Sequence, residues 1–355
     1  MFQWADEFDS GPNQITIPAD SVGDIIYVVE GEMTGERSLM QVCVLNTRNM
    51  QWTIAVPNEK GSRAPSYRYG HSAVAYGHCI YVWGGGTVPK NTRNELYCFN
   101  TVTSTWRLID METQPANRYH HSACLYGKRM YIFGGFCVFN DEKCNDVHYL
   151  DLETHRWHRA RTTGYHPDVS HYDSVVVINH KIFSFGMSGI AYLDLKKNRW
   201  HYVQNKFRYI GYNNCFSYRN KLYILFDDKS ACGCFRNIAK CLDPETLKWK
   251  DVQILGPLQD TRFGHRCVVI GERLFIYGGL RFRGSGRTSL PHGGGTLVLI
   301  LSKSLKTLAI QAIIENKLDV SSLPKPIQVM LNTVKMEQTE CSVCLSSTQN
   351  NPNDN

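Results

Sequence analysis

Arg68-Tyr69-Gly70-His71-Ser72, then Ile80-Tyr81-Val82-Trp83-Gly84-Gly85, then Asn94-Glu95-Leu96-Tyr97 and Thr105-Trp106, form a block that the chain repeats. The next copy reads Arg118-Tyr119-His120-His121-Ser122, Met130-Tyr131-Ile132-Phe133-Gly134-Gly135, Asn145-Asp146-Val147 and Arg156-Trp157. A late copy runs from Arg262-Phe263-Gly264-His265 to Phe275-Ile276-Tyr277-Gly278-Gly279. Weaker copies fill the gaps: Asp173-Ser174 with Ile182-Phe183-Ser184-Phe185-Gly186, and Leu222-Tyr223-Ile224-Leu225-Phe226. A first copy carries Ile25-Ile26-Tyr27-Val28-Val29, with Glu30-Gly31 in place of the diglycine. The diglycines at 84 and 134 lie 50 residues apart, a period that belongs to radial arrays of small sheets.

The tryptophans count the units. Trp52, Trp106, Trp157, Trp200 and Trp249 each close a copy, at gaps of 54, 51, 43 and 49 residues. The last copy ends in the strand-like run Thr296 to Leu301 with no tryptophan after it, and Trp4 stands alone near the start. The economical solution lets the N-terminal strand around Trp4 complete the last unit. That closes a ring and leaves no open sheet edge where the chain ends meet. The expected fold is all-β, a six-bladed β-propeller over residues 1–301, with a short C-terminal tail of two helices over 302–336 and a disordered end over 337–355.

The chain has 355 residues, 43% hydrophobic and 20% charged, which permits a large core. The formal charge of +7 favours acidic partners without choosing one. Met1 to Asp9 carries three acids and no apolar run, so it does not read as an export signal. The longest apolar runs, near Ile25 to Val29 and Leu297 to Leu301, are far too short to span a bilayer. With no export signal read, the 13 cysteines are expected to stay reduced.

The motifs of catalysis are missing. There is no phosphate loop, no His-Glu-x-x-His and no nucleophile elbow. Gly293-Gly294-Gly295 precedes a strand and not a helix, so it lacks the helix N-terminus that a phosphate cradle needs. Cys341 and Cys344 have zinc spacing but form a lone pair, and a tetrahedral site takes four ligands. Cys232, Cys234 and Cys241 could supply other ligands; the competing reading is a set of reduced, small apolar residues. The expectation is no catalytic residue, no metal and no cofactor. The diglycines read as close backbone approaches, and the His-Ser pairs as groups that satisfy backbone within and between blades.

Function is expected in the loops at one end of the ring. One loop type precedes each first strand and carries Arg68, Arg118 and Arg262, beside Tyr69, Tyr119 and Phe263; Tyr172 and Tyr209 interleave with them. The other follows each diglycine strand: 86–93, 136–144, 227–237 and 280–295, the last with Arg281, Arg283 and Arg287. Guanidinium groups beside aromatics around a pocket suit a carboxylate, such as a peptide C-terminus. The competing reading pairs these arginines with loop acids such as Asp173, Asp227 and Asp228; Arg236 fits either.

After Leu301 the period changes. Leu305, Leu308, Ala309, Ala312 and Ile313 follow the spacing of an amphipathic helix, capped by Ser302 or Ser304. Ser321-Ser322-Leu323-Pro324 opens a second helix, with Ile327, Met330, Leu331 and Val334 as its stripe. The two helices either dock on the propeller or present an apolar surface to another protein.

These blocks carry the kelch signature, and together with Ser304-Leu305-Lys306-Thr307-Leu308 and Leu318-Asp319 through Leu323-Pro324 the chain resembles the kelch domain-containing protein 3 family up to about Val334. That resemblance implies a propeller acting as the substrate receptor of cullin-2 RING ubiquitin ligases, reading protein C-termini that typically end in glycine. It implies a box that binds elongin C, with elongin B, formed by Ser304, Leu305, Ala309 and Ile313, where alanine replaces the usual cysteine. It implies a cullin-2 box beginning at Leu323, Pro324 and Ile327. It makes Arg68, Tyr69, Arg118, Tyr119, Tyr172, Arg236, Arg262, Phe263 and Arg281 the expected substrate-binding set. The fourth and fifth copies lack the Arg-x-x-His-Ser opening and the full diglycine, a departure that bears on pocket specificity. The family's association with chromatin and meiosis supplies the alternative, a nuclear kelch scaffold outside any ligase, with no direct nucleic-acid or membrane contact expected.

Overall fold

The computed structural model describes residues 2–8, 19–31, 39–58, 64–86, 94–165, 167, 174–186, 189–203, 215–229, 235–252, 254–255, 262–263, 265–278, 280–282, 289–291, 296–301 and 325. Each copy of the repeat folds into a four-stranded antiparallel blade. In the second blade the strands are Ser72–Tyr76, Cys79–Trp83, Leu96–Asn100 and Thr105–Ile109. In the third they are Ser122–Tyr126, Arg129–Phe133, Val147–Asp151 and Arg156–Ala160. The first and second strands are joined by tight turns that need a left-handed residue, supplied by Gly23, Gly77, Gly127, Asn179, Asn220 and Gly271. The third and fourth are joined by a turn whose Asx side chain caps the backbone. Asn100 accepts from the amides of Val102 and Thr103, and Asp151, Asp194 and Asp243 do the same in later blades.

Ring closure follows the expected route. Phe2–Phe8 pairs antiparallel with Thr296–Ile300, placing Trp4 opposite Leu299, and completes the sixth blade outside Arg266–Ile270 and Arg273–Tyr277. Each innermost strand lies beside the next around the ring, and the sixth, Arg266–Ile270, lies beside the first, Ala19–Val22. The architecture is a six-bladed propeller.

The core is divided accordingly. Among the described residues six apolar clusters form, one at each junction between blades. The cluster between the sixth and first blades joins Phe275, Tyr277 and Val298 to Ile26, Val28 and Leu45. Tryptophans bridge these seams. The Trp52 indole donates to Thr296 Oγ1 at 3.0 Å and packs edge-on to Tyr277. Trp200 packs edge-on to Phe133 of the preceding blade, and Trp157 lies against Trp83. Outer edges are covered as well. Thr163–Gly164, leaving the third blade, runs parallel to Arg199–Trp200 of the fourth, and Ile254–Leu255 runs parallel to Phe2–Gln3. These straps blunt edges that would otherwise pair with another chain. The two tail helices and the end beyond them lie outside the described residues.

Candidate functional site

The segment before an innermost strand and the segment after the diglycine meet at one end of the ring. Tyr69 and Gly86 exchange backbone bonds of 2.9 and 2.8 Å. Arg118–Tyr119 pairs with Phe136–Cys137, and Arg262–Phe263 pairs with Leu280–Phe282, which pairs in turn with Ser289–Pro291. The two segment types therefore share a face. Two of the long loops are partly strand: Lys221–Lys229 and Phe235–Leu242 extend across 227–237, and the 280–295 segment holds two short strands.

Diglycines make this junction possible. Gly84, Gly85, Gly134 and Gly135 all have positive φ. A Cβ on Gly135 would lie 2.6 Å from the Tyr119 carbonyl oxygen and 2.8 Å from the His121 nitrogen. The chain after the diglycine thus lies directly on the segment that carries the tyrosine.

Arg68 and Arg118 take the internal alternative, with acids other than those expected. The Arg118 side chain is fully buried; Nη1 donates to Asp146 Oδ1 at 2.7 Å and to the Gly134 carbonyl at 3.3 Å, and Nε donates to the Ala116 carbonyl. Arg68 repeats this with Glu95 and the Gly84 carbonyl. Burial opposes the ionisation of Asp146, but the His148 and Arg118 hydrogen bonds and charges outweigh it and hold the carboxyl well below the usual range. Both arginines brace the loops from beneath. Their aromatic neighbours are half-buried and pack on one another: Tyr69 and Tyr119 meet edge to face at 5.5 Å, His120 lies between them, Phe136 flanks Tyr119, and the Tyr119 hydroxyl donates to Asp141 Oδ1 at 2.9 Å. His120 holds φ +54° while its amide donates to the Gly70 carbonyl, a left-handed conformation rare outside glycine and a mark of a constrained surface.

The histidines work between blades. His71 Nε2 donates to the Val29 carbonyl of the first blade at 3.1 Å, and His121 Nε2 bonds Ser72 Oγ of the second blade at 2.9 Å. Burial and the Arg68 charge push His71 down to about 3, and burial and Arg118 push His121 well below its ordinary value.

One residue at the start of an innermost strand was not singled out in the sequence. Ser72, Ser122 and Ser174 open the innermost strands of blades two, three and four; the sixth opens with Arg266. Its charge acts on His71 of the second blade and Cys215 of the fifth, and by register it lies opposite the buried Tyr277. The signal was present as His265-Arg266 where other copies read His-Ser.

Of the remaining expected residues, Arg262, Phe263 and Arg281 sit by register in the sheet at the face, and Arg236 lies opposite Asp228 in the fifth-blade hairpin. Tyr172 and Tyr209, and the tail residues Ser304, Leu305, Ala309, Ile313, Leu323, Pro324 and Ile327, lie outside the described residues. A separate cleft of about 540 Å³ opens at the outer rim of the third blade, lined by Asp146, Arg159 and Arg161 among others. Among the described residues no three metal-donor side chains gather, and no helix is long and apolar enough to cross a membrane.

Comparison with known proteins agrees with this architecture. The family model described as the KLHDC2/KLHL20/DRC7 Kelch-repeats domain matches residues 17–210. Kelch domain-containing protein 3 of Bos taurus and of Homo sapiens are each 28% identical over 369 residues, covering 94% of this chain and 96% of theirs. Acyl-CoA-binding domain-containing protein 4 of Arabidopsis thaliana is 23% identical over 73% of this chain and 33% of its own length.

Proposed function

Because the chain belongs to the kelch-repeat propeller family, we propose that it is the non-catalytic substrate-recognition adaptor of a cullin-2 RING ubiquitin ligase, working in the cytoplasm and nucleus. The propeller face receives the C-terminus of a substrate protein, and the tail carries elongin C and cullin-2. Ubiquitin transfer belongs to those partners.

The position of Arg266 carries the reading of the face. A C-terminal carboxylate entering the channel mouth meets a guanidinium whose fork matches it in two places. Tyr69, His120 and Tyr119 form the wall over which the preceding residues of the peptide lie. Arg68 and Arg118 hold that wall in place from below, so their role is positioning. A small last residue such as glycine lets the carboxylate approach the crowded axis. The ligase assignment is supported by the alignment with kelch domain-containing protein 3 over nearly both whole chains and by the Ser304-Leu305 box.

Two measurements test it. A fluorescent peptide ending in glycine is expected to bind as the free acid and to lose at least about tenfold in affinity when amidated or against Arg266→Gln, the scale of one charge-assisted pair. Equal binding of acid and amide would overturn the carboxylate reading. Elongin B–elongin C is expected to co-purify with the intact chain and not with Leu305→Asp. Absence from both would remove the ligase assignment and leave a free-standing scaffold.

A further inference from the structure

The outermost strand of a blade ends its sheet, and on three blades a neighbouring segment covers that edge. Thr163–Gly164 lies along the fourth blade and Ile254–Leu255 along the sixth. On the second, the Asn58 amide donates to the Ser104 carbonyl at 2.8 Å, as the Thr163 amide does to the Asn198 carbonyl of the fourth at 3.0 Å. Ser104 and Asn198 are the left-handed residues just before the outermost strand, with φ +52° and +49°. His155, at φ +54°, holds that place in the third blade. There the pattern stops. Among the described residues no amide donates to the His155 carbonyl, and Arg156–Ala160 pairs only with Val147–Asp151. The segment leading into this blade, residues 110–117, is described and makes a different contact: the Trp157 indole donates to Met111 Sδ at 3.1 Å. It touches the tryptophan and adds no ladder to the strand.

The side chains along this edge are cationic on both sides of the sheet. Trp157 packs in the cluster at the seam with the second blade, and Arg159, two residues on, lies on the same side. Arg156 and His158 lie on the other side, where the His158 ring stacks on Tyr149 at 4.9 Å. Arg156, His158, Arg159 and Arg161 are all exposed. Where the strand ends, Arg159 and Arg161 line the cleft of about 540 Å³ together with Asn145, Thr162 and Asp146. The acids of the hairpin are already engaged: Asp146 with Arg118 and His148, Asp151 with the amides of its turn, and Glu153 with Lys128. The arginines therefore set the sign of the site. We propose that the edge of the third blade receives an acidic, extended segment of a partner protein, which adds a strand beside Arg156–Ala160 and seats an acidic side chain in the cleft. An exposed edge is a template for pairing. In strand addition the main-chain bonds supply affinity and the alternating side chains supply specificity. Carboxylates on either side of the added strand meet a guanidinium, which pairs with them through charge-assisted bonds.

The test uses the folded full chain and a fluorescein-labelled peptide of alternating glutamate and valine. The peptide is amidated at its C-terminus, so it offers no terminal carboxylate to the loop face. Its anisotropy is expected to rise on titration with the protein, and that of a lysine–valine peptide is not. Arg159→Glu/Arg161→Glu is expected to weaken binding by at least about tenfold, the scale of one charge-assisted pair. The same variant should bind a glycine-ending free acid as the wild type does. The glutamate–valine peptide with N-methylated backbone amides keeps its charges and loses its donors, and it is expected to bind the wild type at least about tenfold more weakly than the parent peptide. Equal binding of the parent and N-methylated peptides would overturn strand addition and leave only charge attraction. No binding of the parent peptide, equal binding of the lysine–valine peptide, or binding that survives the charge reversal would each overturn the site.

Discussion

Two alanine substitutions in one blade separate the two reasons a propeller uses glycine. Gly127, in the first turn of the third blade, has φ +60° and no heavy atom within 4 Å of where a Cβ would stand. Gly135, after the diglycine strand, has φ +80°, and a Cβ there meets three backbone atoms at 2.6 to 2.9 Å. Gly127→Ala carries only left-handed strain, about 1 to 2 kcal/mol. Gly135→Ala carries the same strain plus overlap with backbone that cannot turn aside, about 1 to 3 kcal/mol more. At roughly 1.3 °C of melting temperature per kcal/mol for a chain of this size, Gly127→Ala is expected to lower the midpoint by about 1 to 3 °C. Gly135→Ala should lower it by about 3 to 7 °C on the same scale. Differential scanning fluorimetry on both variants measures the gap. Because the clash pushes on Tyr119 and His121, only Gly135→Ala should also weaken peptide binding at the face. Equal shifts in melting temperature, with binding intact in both, would refute the claim that the diglycine exists for close approach.

Other outcomes follow from the buried polar groups and the closure. His71 and His121 are neutral when folded and bind a proton when unfolded, so stability is full above about pH 6.5 and falls by up to about 1.4 kcal/mol per pH unit for each as the pH drops below it; a His71→Gln/His121→Gln variant should show a flatter urea-midpoint profile between about pH 6.5 and 4.5. Asp146 is depressed in the fold, so its contribution is present above the ordinary carboxylate range and is lost as the pH falls below it. Asp146→Asn, which strands a fully buried Arg118 guanidinium, is expected to cost about 3 to 5 kcal/mol in urea unfolding; a cost under about 1 kcal/mol, the scale of an exposed pair, would contradict the bracing role. A chain lacking residues 1–9 leaves Thr296–Ile300 as an open edge and is expected to self-associate in light scattering; a stable monomer would argue against closure by the N-terminal strand.

The frame was legible because its requirements are rigid. Among the described residues a tryptophan stands at five of the six seams; with the left-handed turn residue and, in three copies, the diglycine, it admits few substitutes, so these features recur in phase and count the blades. The fate of Arg68 and Arg118 was harder to read because two chemistries suit an arginine in a loop, and the pairing acids are remote. Glu95 lies 27 residues after Arg68 and Asp146 lies 28 after Arg118, each immediately before the third strand of its blade. Both acids belong to the repeat, as do the arginines, and that shared phase marks them as frame.

Phase also locates what the frame was adapted to do. A residue required in every blade serves the blade; a residue that breaks the pattern at a structurally fixed position answers to something else. Arg266, half-buried, stands where three other blades have serine. In the sixth blade the place of Glu95 and Asp146, just before Thr296, is taken by Gly295, so the repeat offers Arg262 no acid at the position that ties down its counterparts. The sixth blade therefore keeps the arginine and drops that acid, and in the same blade substitutes an arginine for serine at the start of the innermost strand. Both departures add positive charge to the sixth blade and set it apart from the regular second and third.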